Sequence, residues 1–316
     1  MSVIIAGKID AIMPHLFILS KDSEEYRSIL ESSSLPELII ESELTEECEI
    51  IFGAPSSIRD VLDKLPNLRW VQSMWAGVEP LLDPSLRKDY ILTNARGVFG
   101  GLMSEYVIGY LLAYERKIFQ RADSQKNKVW DKTLTGSLRG KTVGLLGVGS
   151  IGADVAQAAK FFGMTVRGFT RESESSEHVD SYFHGGQLLD FVTGLDYLVS
   201  ILPNTEETQK IVDAGVLNAL PSHALFINVG RGSAVDESAL LEALNQKKIS
   251  GAVLDVFEQE PLPKKHPFWE TPNLAMTFHT SAPSLPKDIA NVFIENYRFY
   301  MEGKPLKYQV NFERGY

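Results

Sequence analysis

Arg231, Glu260 and His279 are the side chains whose types and placing suggest chemistry in this sequence. Arg231 lies in Asn228-Val229-Gly230-Arg231-Gly232, Glu260 in the run Leu254 to Pro263, and His279 in Met276-Thr277-Phe278-His279-Thr280. Each follows an apolar stretch that reads as a strand. Reduction of a 2-keto acid needs, besides hydride, a cation to anchor the carboxylate and a proton for the keto oxygen. Arginine supplies the first with a fixed fork of donors. Histidine titrates in the range required for the second, and a carboxylate beside it raises its pKa. Taken singly, a loop arginine or glutamate is ordinarily solvated, and a lone histidine ordinarily packs or lies at the surface. The weight lies in three complementary groups past strand ends, because such positions line the ligand crevice of an open parallel sheet.

The hydride source is written in the stretch Thr142 to Gly152, an apolar strand running into Gly147-Val148-Gly149-Ser150-Ile151-Gly152 and then a helix over 153–162. Spaced as G-x-G-x-x-G between strand and helix, the glycines permit a tight turn and close approach of backbone to a pyrophosphate. The helix N-terminus then offers its free amides to the phosphates. Ser150 and Ile151 belong to the same turn. Leu202, Pro203, Val229, Gly230 and Asp255, each after a later strand, complete the expected cofactor set. The second strand of this unit ends Phe169-Thr170-Arg171, with no acid at its tip to bind a ribose 2′-hydroxyl. Thr170 and Arg171 suit a 2′-phosphate instead, so the sequence favours NADP, with NAD possible. A solvated arginine beside Glu172 is the plainer alternative for Arg171.

The elements that must position these groups follow a βαβ rhythm. Strands are expected at 142–146, 165–169, 197–200, 224–228, 251–254 and 274–277, with a helix at 237–247. A long helix is expected over 102–119. Before it, residues 1–94 read as a second α/β unit, with strands near 16–19, 38–40, 49–52 and 68–72 and a helix at 22–30. Met1 to Asp10 is read as a further strand rather than a signal peptide. The loop Trp75-Ala76-Gly77-Val78 follows a strand and precedes Glu79-Pro80, so its amides could grip a carboxylate; an ordinary turn is the alternative. The helix expected at 288–302 returns to the first unit. The fold class is therefore α/β, with two Rossmann-like doubly wound parallel-sheet domains separated by a cleft. Residues 1–94 plus 283–316 form a discontinuous, flavodoxin-like substrate domain, and 95–282 the dinucleotide domain.

Composition narrows the function. The chain has 316 residues, 44% hydrophobic and 23% charged, as expected of a soluble globular protein of about two domains. A net charge of -10 and no basic run argue against nucleic acid as a partner. No apolar run approaches the roughly 18 residues of a membrane helix. The lone cysteine, Cys48, cannot form an internal disulfide and suits the cytoplasm. No metal is expected.

With these residues in place, the sequence resembles the D-isomer-specific 2-hydroxyacid dehydrogenases. The resemblance rests on Gly147 to Gly152, Asn228 to Gly232, Leu254 to Pro263 and His279-Thr280-Ser281-Ala282. Within that family it is most similar to the bacterial glyoxylate/hydroxypyruvate reductases, through Leu202-Pro203-Asn204-Thr205 and the ending Arg314-Gly315-Tyr316. The resemblance implies an Arg231–Glu260–His279 catalytic set, carboxylate binding by the backbone at Ala76, Gly77 and Val78, and a homodimer built on the nucleotide domains. It implies an NAD(P)H-dependent reductase of small 2-keto acids. Three features depart from the family pattern, one being the loop His279-Thr280-Ser281-Ala282-Pro283, which differs from the commoner small-residue pattern. Phe278 stands where proline usually precedes the histidine. Trp75 is bulky where small residues are common; it either narrows the pocket towards small keto acids or packs on its domain. A dinucleotide-sensing, corepressor-like binding protein on the same scaffold is the competing reading, because such proteins also keep the Arg-Glu-His set. The acidic balance and the absence of long disordered tails weigh against it.

Overall fold

The computed structural model describes residues 13–315, and the strand expected over Met1 to Asp10 lies outside them. The chain forms two compact units, residues 1–98 with 284–316 and residues 99–283.

In the first unit, five strands make a parallel sheet: β1 (His15–Leu19), β2 (Ile39–Ile40), β3 (Ile50–Gly53), β4 (Trp70–Ser73) and β5 (Ile91–Thr93), in the order β2-β1-β3-β4-β5. The central strands β3 and β4 are buried along their whole length, the pattern of a sheet covered on both faces. The helix Pro286–Met301 packs here through its apolar face. Phe293 stacks on Trp70 with centroids 5.0 Å apart and on Phe52 at 4.9 Å. A buried polar chain ties the same helix down. Asn296 donates to Gln72 Oε1 at 3.1 Å, and Thr93 donates to that oxygen at 2.8 Å. The side-chain oxygen of Asn296 accepts the Lys307 amide at 2.8 Å.

The second unit has seven parallel strands: β6 (Thr142–Leu146), β7 (Thr165–Thr170), β8 (Ser181–His184), β9 (Tyr197–Ser200), β10 (Leu225–Asn228), β11 (Gly251–Leu254) and β12 (Leu274–Met276). Their order is β12-β11-β10-β9-β6-β7-β8. β6 pairs with β7 on one side and β9 on the other, so Leu146 lies beside both Phe169 and Ser200. The strand order reverses there, and a ligand crevice opens at such a switch point. Helices cover both faces over two apolar clusters, one around Phe191, Leu198 and Phe226, the other around Val143, Val155 and Val199.

Local details differ from the sequence reading. The helix expected over 102–119 is two helices, Gly100–Glu115 and Ile118–Lys126. Lys117 takes a left-handed φ of 53°, which breaks the hydrogen-bond ladder between them. The apolar periodicity runs past the break in sequence only: Ile118 and Phe119 are exposed and not part of the core. Strands β5 and β8 were not anticipated. Both are edge strands, and β8 is at most half-buried, so it lacks a hydrophobic signature.

Candidate active site

The site grows from the carboxyl ends of β10, β11 and β12. Past β10, the fully buried Asn228 shapes the turn: its amide donates to the Arg231 carbonyl at 3.0 Å, and its oxygen accepts the Gly230 amide at 3.2 Å. Arg231 Nη1 donates to the Gly230 carbonyl at 2.9 Å, which fastens the guanidinium to its own turn. Gly232 has no room for a side chain, since a Cβ would lie 1.9 Å from the Phe257 carbonyl carbon. The turn after β10 and the segment carrying Glu260 are therefore in direct backbone contact.

Past β11, Asp255 is buried with both carboxylate oxygens engaged. Oδ1 accepts the Thr277 hydroxyl at 2.5 Å and the Thr280 amide at 2.9 Å, and Oδ2 accepts the Ser281 amide at 3.1 Å. The Thr277 hydroxyl spends its hydrogen on Asp255, so Tyr106, 2.7 Å away, donates to Thr277. The backbone of Asp255 also accepts the His279 amide at 2.7 Å. Asp255, expected among the cofactor residues, is thus the strut of the 277–281 loop. His279 itself sits at φ 56°, a left-handed conformation held by these contacts on both sides.

His279 Nδ1 meets Glu260 Oε2 at 2.8 Å, while Glu260 Oε1 accepts the Phe257 amide at 2.9 Å. The hydrogen bond to Glu260 raises the His279 pKa; partial burial and the Arg231 charge oppose this without cancelling it. Burial pushes the Glu260 carboxyl up, but the His279 hydrogen bond and the Phe257 amide outweigh it, and the net shift is downward. Arg231 acts electrostatically on both groups, so the structure brings the three predicted residues into one cluster. Phe278, beside the histidine, is exposed and faces Trp269 with ring centroids 5.6 Å apart.

The residues expected to bind the dinucleotide lie at the same sheet end. Gly147 turns at φ 94°, and a Cβ on Gly152 would approach the Gly147 carbonyl oxygen to 2.4 Å, so helix and turn are packed as closely as backbone allows. A Cβ on Gly149 would meet nothing within 4 Å. That open space lies at the start of the helix Ser150–Phe161, whose cap residue Gly149 has no side chain to satisfy the first amides. An open cradle with free amides fits a pyrophosphate. Gly230 lies against Leu202, a Cβ there being 2.6 Å from the Leu202 amide nitrogen, which draws the loops after β9 and β10 together. At the tip of β7, the Thr170 hydroxyl donates to the Ser173 carbonyl at 2.7 Å, and Arg171 forms an ion pair with Glu207.

In the first unit, the loop after β4 has its carbonyls occupied. Trp75 O accepts the Ser73 hydroxyl at 2.9 Å and the Ala95 amide at 3.1 Å, and Ala76 O accepts Asn94 Nδ2 at 2.7 Å. This fixes the backbone while the amides of Ala76, Gly77 and Val78 donate to no described protein acceptor. Trp75 is 43% exposed, so its ring is not buried in the core of its unit.

Sequence reasoning missed the bracing role of Asn228 and Asp255 and the partner of Arg171. Asn228 and Asp255 were visible as polar residues ending apolar strands; only the hydrogen-bond geometry shows that they serve the loops.

A seven-stranded parallel sheet with a glycine turn at its switch point and an arginine–glutamate–histidine cluster at its carboxyl edge defines a nucleotide-dependent dehydrogenase. Residues 108–281 match the family model described as the D-isomer specific 2-hydroxyacid dehydrogenase NAD-binding domain, and the chain belongs to that family. It is an NAD(P)-dependent oxidoreductase. Among curated relatives, glyoxylate/hydroxypyruvate reductase A of Citrobacter koseri is 32% identical over 257 residues, covering 79% of this chain and 82% of the relative. Among solved structures, a D-isomer specific 2-hydroxyacid dehydrogenase family protein from Aeromonas salmonicida aligns with a TM-score of 0.90 at 39% identity, covering 95% of this chain and all of that one (100%). The NADPH-dependent glyoxylate/hydroxypyruvate reductase of Sinorhizobium meliloti, solved with NADP and sulfate, aligns with a TM-score of 0.85 at 27% identity, covering 96% and 100%.

Proposed function

We propose that this chain reduces small 2-keto acids of the glyoxylate or hydroxypyruvate type to D-2-hydroxy acids, with NADPH preferred and NADH possible. The observation that carries the reading is the 2.8 Å His279–Glu260 contact within reach of the Arg231 charge, at the sheet edge that also bears the glycine turn. Arg231 holds the substrate carboxylate. Nδ1 of His279 faces Glu260, which leaves Nε2 to give its proton to the keto oxygen as that oxygen becomes an alcohol. Glu260 stays ionised, fixes the ring and steadies its positive charge. When bound, the reduced nicotinamide supplies the hydride that adds to the keto carbon. Arg171, with no acid at the strand tip, supports the 2′-phosphate reading, as does the NADP held by the Sinorhizobium relative; the Thr170 hydroxyl, which donates to Ser173, must turn to reach the phosphate. We further propose a homodimer. Among the described residues, no helix is long and apolar enough to cross a membrane.

The test is loss of reduced-nicotinamide absorbance with glyoxylate, hydroxypyruvate and pyruvate, each with NADPH and NADH. Turnover with NADPH preferred is expected. An NADH preference of about tenfold or more, equivalent to roughly 1.4 kcal/mol, would overturn the cofactor reading. Tight nucleotide binding without turnover of any keto acid would favour the binding-protein alternative.

A further inference from the structure

The strand order puts β7 and β9 on either side of β6, the strand that feeds the glycine turn. Arg171 follows the last residue of β7. Glu207 lies in the single 3-10 turn Glu206–Thr208 that follows β9. Arg171 Nη2 donates to Glu207 Oε2, so this ion pair reaches across the carboxyl end of β6, where the dinucleotide cradle opens. Glu207 is carried on a braced stem. The Thr205 amide donates to Thr208 Oγ1 at 2.9 Å, and that hydroxyl reaches the Pro203 carbonyl at 2.7 Å. The pair itself is exposed, 53% for Arg171 and 69% for Glu207. Pairs this wet contribute little to stability. Its position points to a different role, because its cation is the one the cofactor reading assigns to the 2′-phosphate.

We propose that Glu207 is a specificity-determining residue that competes with the 2′-phosphate of NADPH for the Arg171 guanidinium. The inference rests on the reading of Arg171 as a phosphate contact. A cofactor with a 2′-phosphate must share or displace the carboxylate and bears its like-charge repulsion. A cofactor with a 2′-hydroxyl meets neither cost. Glu207 therefore narrows the gap between NADPH and NADH that Arg171 opens.

The experiment measures Kd for NADPH and NADH on the full chain and on Arg171→Ala, Glu207→Gln and the double variant, with melting curves to confirm folding. Glu207→Gln keeps the shape and removes the charge. It is expected to tighten NADPH about three- to fivefold, the range of an exposed pair, and to leave NADH unchanged. The gain should shrink with added salt, and in the Arg171→Ala background it should fall to the part due to direct carboxylate–phosphate repulsion. If Arg171→Ala does not weaken NADPH, the phosphate reading fails and this inference with it. If Arg171→Ala weakens NADPH selectively while Glu207→Gln leaves it unchanged or weaker, or tightens both cofactors alike, Glu207 is no discriminator and Arg171 keeps its role.

Discussion

Glu260 favours the protonated form of His279, and each group shifts the other in the direction that preserves the pair. In the proposed reduction the protonated ring is the active form. The expected pH profile of kcat/KM is level in the weakly acidic range and falls as pH rises through a value above the ordinary histidine pKa of about 6.5. Glu260→Gln removes the main cause of the upward shift, so its falling limb should move to lower pH, with kcat reduced. A limb that stays in place would exclude Glu260 as the cause. His279→Ala should lower kcat by about 10²- to 10⁴-fold, the range of a lost general acid, and leave NADPH Kd nearly unchanged. Arg231→Lys tests a different property. Lysine restores the charge but not the two-pronged geometry, so KM for the keto acid should stay raised. Full recovery by lysine would mean that charge alone anchors the substrate.

The loops that carry these residues are set by buried polar strand ends. Asp255 accepts from Thr277, Thr280 and Ser281 at once, which an amide cannot do without turning a donor towards another donor. Asp255→Asn should cost roughly 1–3 kcal/mol. It should lower Tm and depress kcat through misplacement of His279 while nucleotide Kd changes little. A loss confined to nucleotide affinity would favour the cofactor role expected of Asp255 over the bracing one. This part of the site was only half legible in the sequence. Arg231, Glu260 and His279 could be found because each follows an apolar strand, and strand ends in a parallel sheet converge on one edge. The hydrogen bonds of Asp255 could not be found, since they depend on how the loop after β12 folds back onto β11. Glu207 was hidden for a related reason. It lies 36 residues from Arg171, and only the placing of β6 between β7 and β9 brings the two charges together.

At the scale of the molecule, alternation of apolar strands and helices was enough to read two parallel sheets, because strands buried on both faces are continuous apolar runs. The edge strands β5 and β8 and the break at Lys117 escaped because short, partly exposed segments and backbone conformation leave no periodicity to read. That break leaves a feature that periodicity alone would have assigned to the core. The helix Ile118–Lys126 has no buried residue. Ile118, Phe119, Val129, Trp130 and Leu134 are all more than half exposed, Trp130 at 87% and Leu134 at 90%. Large exposed apolar side chains gathered on one segment are the ordinary mark of an association surface. They belong to the nucleotide-binding unit, on which the family resemblance places the subunit contact. The proposed homodimer therefore has a surface to form on. The 35.2 kDa chain should sediment at about twice its mass at micromolar concentration. The double substitution Trp130→Asp and Leu134→Asp puts charge where apolar contact is required, and should shift the equilibrium to monomer with the melting transition of the isolated subunit retained. A wild-type chain that sediments as a monomer at every concentration, or a dimer indifferent to both substitutions, would remove this segment from the interface.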